Sequence, residues 1–195
     1  MPTSVLSAFL TFTLITAFTP GPNNILAFSA GNQFGLKKCV PIIAGICTGF
    51  LCVMAICGIA VISASTVSDH IVGWMRYIGS IYTFWLAWKV ANPTASKNIE
   101  VNNHTGFTRG FILQFVNVKI IIYGLTAFSG FITPYYTSKL ETSVFVIILS
   151  VIGSSGVITW AVAGSVLQKI LQKHSGTINV IMGMMLVACA ISILV

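Results

Sequence analysis

The polar residues of this chain fall into short clusters, and the stretches between them are almost wholly apolar. Six apolar segments separate: about 5–28, 42–64, 71–90, 110–133, 142–167 and 178–195. Each is near the roughly 20 residues a helix needs to cross the hydrocarbon core of a bilayer. The pattern predicts an all-α polytopic membrane protein with six transmembrane helices. Residues 1–195 read as a single transmembrane transporter domain. The longest connection, 91–109, carries Asn92, Pro93, Asn98, Asn102, Asn103, His104 and Gly106, and leaves three spans on either side. Two halves with an odd number of spans insert in opposite directions. If they descend from one duplicated unit, they form two inverted three-helix repeats, a recurrent transporter design.

Composition narrows the class. Of 195 residues, 56% are hydrophobic and 7% charged, against about 25% charged in soluble domains. A soluble protein is excluded. The net charge of +7 does not point to nucleic acid, because the basic residues are scattered between apolar segments and form no stripe. Their placement predicts orientation instead. Lys37, Lys38, Lys89, Lys97, Arg109, Lys169 and Lys173 follow spans one, three and five; only Arg76 and Lys139 follow spans two and four. Those odd-numbered loops are expected on the cytoplasmic side of an inner membrane, with both termini periplasmic. No Lys or Arg precedes Lys37, so the first span lacks the basic flank of a cleaved signal and is expected to stay.

The polar chemistry sits in two places. Thr19-Pro20-Gly21-Pro22-Asn23-Asn24 interrupts span one. Pro20 and Pro22 have no N–H and Gly21 has no side chain, so the helix is expected to break there. The carbonyls freed near Ala17 and Phe18 need partners that lipid does not supply. Pro22 suits the first position of a new helix, whose leading N–H groups attract a carboxylate. A plain proline kink is the structural alternative.

In the opposing half stand Gln114, Asn117 and Lys119. Lys119 is the only charge between Phe111 and Ile132. A lysine at mid-membrane costs roughly 2.5–3.5 kcal/mol on insertion scales, so it is expected to face a polar cavity. Arg109 fixes the cytoplasmic end ten residues earlier, about 15 Å along a helix, which makes snorkelling a long reach. Gln114 and Asn117 share a helix face. Lys119 falls on the other side unless the helix is locally broken. No acidic residue lies in any apolar segment, since Asp69, Glu100 and Glu141 are in the connections. An unpaired lysine suits an anionic group that arrives with a substrate.

Other features read as structural. Gly45 and Gly49 form a small-residue packing motif, with Gly153, Gly156 and Gly164 as its counterparts in span five. Trp85 and Trp88 near Lys89 suggest an interfacial belt. Tyr82 and Tyr123 are aromatic packing or, alternatively, gates. Cys39, Cys47, Cys52, Cys57 and Cys189 contain no Cys-x-x-Cys and read as small buried side chains. His70, His104 and His174 lie in connections, so no metal site is expected.

At these motifs the chain resembles the LysE/RhtB family of bacterial amino-acid exporters, over essentially its whole length. The residues that carry the resemblance are Thr19 to Asn24, the glycine-rich second span, Gly79 to Lys89, and Gly110 followed by Asn117-Val118-Lys119. The last motif usually reads Asn-Pro-Lys in the family. Val118 replaces that proline, so the fourth span is expected to be less broken. Leu14 to Ala17 and Leu113 to Ile121 resemble members that export cysteine and O-acetylserine. The resemblance implies efflux of small neutral amino acids, those two foremost, coupled to the proton gradient. Homoserine, threonine or another amino acid is the nearest alternative.

The expected substrate contacts are Lys119 for the carboxylate, with Asn117, Gln114, Asn23 and Asn24 around it. Pro20, Gly21 and Pro22 form the helix break. No cofactor is implied. The partners are an amino-acid substrate and membrane lipid, with a homo-oligomer left open. An intramembrane enzyme would need a metal set or a nucleophile–base pair that the spans lack. A non-transporting scaffold subunit has no reason to keep a helix break and a lone lysine in the bilayer.

Overall fold

The structure, a computed structural model, describes residues 1–63, 69–91, 103–167 and 175–194. Lys97, Lys169 and Lys173, which weigh in the orientation argument, lie outside the described residues. The described residues form eight α-helices and no strand. In chain order these are α1 (Thr3–Phe18), α2 (Pro22–Phe34), α3 (Leu36–Ile62), α4 (Asp69–Ala91), α5 (Asn103–Val116), α6 (Val118–Thr126), α7 (Lys139–Val166) and α8 (Ser175–Leu194). A π-helical turn, Ala127–Ile132, prolongs α6 and closes with the Thr133 N–H on the Phe128 carbonyl.

Each half has the same order: a broken helix, a long helix, a single helix. Among the described helices, α3 and α7 are each long and apolar enough to cross a membrane. The pair α1–α2, bent by 44°, and the pair Gly106–Val116 with Val118–Ile132, bent by 57°, each have the length and apolarity of one broken span or of a re-entrant loop.

Two boundaries differ from expectation. The helix that follows the first break runs to Phe34, beyond the Phe28 expected for the span, and the next helix starts at Leu36, ahead of Ile42. Gly35 alone joins them. Its φ of 75° is open to glycine and strained for other residues, which lets one helix stop and the next start without a loop. Lys37 and Lys38 therefore occupy the exposed first turn of α3, not a loop. Pro41 lies in the second turn of that helix, where the carbonyl it deprives, that of Lys37, is near the exposed end. The start of α7 shows the opposite case. Ser138 and Glu141 form a capping box, so local chemistry sets that boundary.

Glycines set the packing. A Cβ on Gly45 would clash with the Phe107 carbonyl, and one on Gly110 with the Ile42 carbonyl. The backbones of α3 and α5 thus touch, as the Gly45–Gly49 motif predicts. On α7, Gly153 receives the Phe50 ring, Gly156 the Ala17 carbonyl and Gly164 the Phe28 carbonyl. The helix therefore seats against α3, α1 and α2 in turn. The α4 and α8 helices pair with each other, with the Ser80 hydroxyl donating to the Ala190 carbonyl at 2.6 Å. Trp85 and Trp88 stay exposed on α4, consistent with a lipid-facing belt. The main apolar core joins Phe9, Phe50, Met54, Phe128 and Leu149. It lies beside the two helix breaks, which face each other.

Candidate functional site

Side chains 91 to 100 residues apart in the chain meet where the breaks face each other. At the first break Thr19 and Gly21 are extended, and Pro22 opens α2. The carbonyls of residues 17 to 20 lose their helical partners, and each finds another. Asn24 donates its side-chain amide to the Ala17 carbonyl at 2.8 Å and to the Thr19 carbonyl at 2.9 Å. The Trp160 indole donates to Phe18 at 3.1 Å. Lys119 donates to Thr19 at 2.9 Å and to Pro20 at 3.3 Å. The Ile25 N–H bonds Gly21 at 2.9 Å and starts α2. The helix thus stops between Phe18 and Pro22, and the carbonyls of residues 17 to 20 have partners there, as a membrane interior demands.

The second break corrects an expectation. Val118 does not make the fourth span continuous. Asn117 is extended, with φ −85° and ψ 90°, and separates α5 from α6. Its side chain makes no cap on its own helix. Instead the amide reaches across the bundle and donates to Asn23 Oδ1 at 2.9 Å. Asn23 in turn donates to Gln114 Oε1 at 2.7 Å, and Gln114 donates back to Asn23 Oδ1 at 3.1 Å. Gln114 also holds the Gly110 carbonyl at 2.8 Å. All three amides are buried, where hydrogen bonds are strong and unmade ones costly. The cross-bundle bond thus holds the backbone open where no proline does.

This break also resolves the facing problem for Lys119. The bend carries it to the side of Asn117, and both line one cleft. Lys119 does not run to a helix end; its ammonium lies against the C-terminal carbonyls of α1. A cation there is favoured by the helix dipole. An ammonium has three donors, so the two carbonyls leave one for a ligand.

The cleft is half open and is lined by Gly21, Pro22, Asn23, Asn24, Asn117 and Lys119 on its polar side. Of the sequence-expected contacts, Gln114 is the one set behind the cleft, where it positions Asn23. The lining also includes Tyr123, Thr16 and Phe50. Tyr123, expected as aromatic packing or a gate, stands four residues after Lys119 and hence on the same helical face. Its ring stacks on Phe12 with centroids 5.7 Å apart and leans on Phe50.

The family described as LysE type translocator matches residues 14–195. The chain belongs to that family. It is 42% identical over 194 residues to the cysteine/O-acetylserine efflux protein of Salmonella typhimurium (strain LT2), covering 99% of both chains. It is 40% identical over 195 residues to the protein of the same name from Escherichia coli (strain K12), again covering 99% of each. No solved structure matches it. The translocator is therefore a multi-pass membrane protein that carries out efflux, and is not an enzyme.

Proposed function

We propose that this translocator exports small neutral amino acids across the bacterial inner membrane, cysteine and O-acetylserine foremost, driven by the proton gradient. The observation that carries the proposal is the ammonium of Lys119 in a cleft built from two helix breaks. A substrate carboxylate takes the remaining donor of Lys119 and the leading N–H groups of α2. Asn23, Asn24 and Asn117 supply polar contacts, and Gln114 holds Asn23 in place. The names of the relatives favour cysteine and O-acetylserine. The lining has no carboxylate, so we assign the coupling proton to Lys119.

The proposal also takes residues 1–195 as one domain of six spans, in two inverted repeats of a broken, a long and a single helix. Lysine and arginine placement puts both termini in the periplasm.

Counterflow of labelled cysteine, O-acetylserine, threonine and lysine in proteoliposomes tests the substrate. Cysteine and O-acetylserine are expected to exchange, and lysine to be refused. Threonine exchange without the other two would favour a homoserine/threonine exporter. Alkaline-phosphatase fusions test the orientation. They are expected to be active after Val195 and inactive near Lys97 and Lys173, and the reverse pattern would overturn the topology.

A further inference from the structure

Two buried polar atoms in the cleft lack partners among the described residues: Asn117 Oδ1 and the Tyr123 hydroxyl. Asn117 is 3% exposed and Tyr123 4%. The amides of Asn23, Asn24 and Gln114 and the Lys119 ammonium each have a bond there. Asn117 even spends its amide N–H on Asn23, which turns Oδ1 into a fixed acceptor. A buried unsatisfied group of this kind costs stability and calls for an explanation. Both residues line the cleft with Lys119, and they differ in kind. Tyr123 and Lys119 are four apart on α6 and offer donors on one face. Asn117 Oδ1 and the carbonyls of Thr19 and Pro20 offer acceptors.

We infer that Tyr123 and Asn117 read the two charged ends of an amino-acid zwitterion. The Tyr123 hydroxyl donates to the carboxylate beside Lys119. Asn117 Oδ1 accepts from the α-ammonium, next to the carbonyl end of α1. A zwitterion alone brings both an acceptor for the Tyr123 and Lys119 donors and a donor for Asn117 Oδ1, so the cleft selects α-amino acids over amines and over simple acids. The inference rests on the proposed amino-acid export and adds the residues that set its specificity.

The test is competition against labelled cysteine counterflow in proteoliposomes, under reductant. The competitors are cysteine, 2-aminoethanethiol, which lacks the carboxylate, and 3-mercaptopropionate, which lacks the amine. In the unaltered chain cysteine is expected to bind tightest. Tyr123→Phe is expected to weaken cysteine and 3-mercaptopropionate by roughly tenfold or more, the loss of a hydrogen bond to a charged group. It leaves 2-aminoethanethiol unchanged. Asn117→Leu also removes the amide bond to Asn23 that holds the break, so it is expected to weaken all three ligands, the two amine-bearing ones most. Equal weakening of all three ligands by Tyr123→Phe, or none, would overturn the assignment. So would a fall in its melting temperature in detergent, because removing an unpartnered hydroxyl is expected to leave stability unchanged or raise it. If the unaltered chain refuses cysteine but exchanges threonine, the proposed substrate fails. The same pair of variants, with threonine, 1-aminopropan-2-ol and 3-hydroxybutyrate, then decides the inference separately.

Discussion

The Lys119 ammonium lies 2.9 Å from the carbonyl oxygen of Thr19, across 100 residues of chain. This bond joins the two helix breaks. It answers the two costs that a membrane imposes here, a charge without a counter-ion and carbonyls without donors. Asn24 serves the Thr19 carbonyl from within the first half, but the Pro20 carbonyl has Lys119 as its donor.

Replacing Lys119 tests that coupling. Lys119→Met leaves the Pro20 carbonyl without its donor, at about 1–3 kcal/mol. It also relieves the insertion cost of the charge, about 2.5–3.5 kcal/mol. The two are similar, so membrane abundance is expected near the unaltered level while export falls to background. Lys119→Arg is also expected to be poor, because a planar fork does not replace a compact ammonium. Export normalised to membrane protein decides this. Near-normal export by the methionine variant would remove Lys119 from the site.

Gly21→Ala probes the same contact from the other side. A Cβ at Gly21 would stand 2.9 Å from Lys119 Cδ and 3.0 Å from Nζ. Backbone strain is not involved, since Gly21 is extended at φ −169°. The lysine must give way. We expect unchanged thermal stability and an export loss of roughly tenfold or more, as displacements near 1 Å in a site commonly cause. Gly130→Ala serves as the control, because a Cβ there meets nothing within 4 Å. Equal behaviour of the two variants would refute the steric account.

The Asn23–Gln114 pair is reciprocal and buried, so its members should be strongly coupled. Single alanine variants are each expected to lose about 1–3 kcal/mol, because each leaves the other amide unsatisfied. The double variant should lose less than the sum, with a coupling of roughly 0.5–3 kcal/mol. Denaturation of the purified single and double variants in detergent measures it. Additive losses would show that the two amides act independently.

Much of the architecture was legible locally. The helical class follows from apolar segments of membrane-spanning length. The first break follows from Pro20 and Pro22, which cannot donate whatever surrounds them. The start of α7 was not read: Ser138 and Glu141 cap it at Lys139, ahead of the expected residue 142. The junction at Gly35 was missed, because a single glycine between two apolar helices has the composition of either.

The sequence by itself determined where a helix cannot continue, which glycines admit a neighbouring backbone, and that Lys119 lacks a nearby carboxylate. These are properties of single residues and short spacings. Only the tertiary structure decided that a helix also stops at Asn117, where no proline stands, and that carbonyls of another helix receive Lys119. The tertiary structure likewise left Tyr123 and Asn117 Oδ1 without partners beside it. Each of these depends on a hydrogen-bond partner about a hundred residues away or on the lack of one. In a low-dielectric interior such pairing overrides local helix propensity, because every polar group must be satisfied by whatever the fold brings within reach.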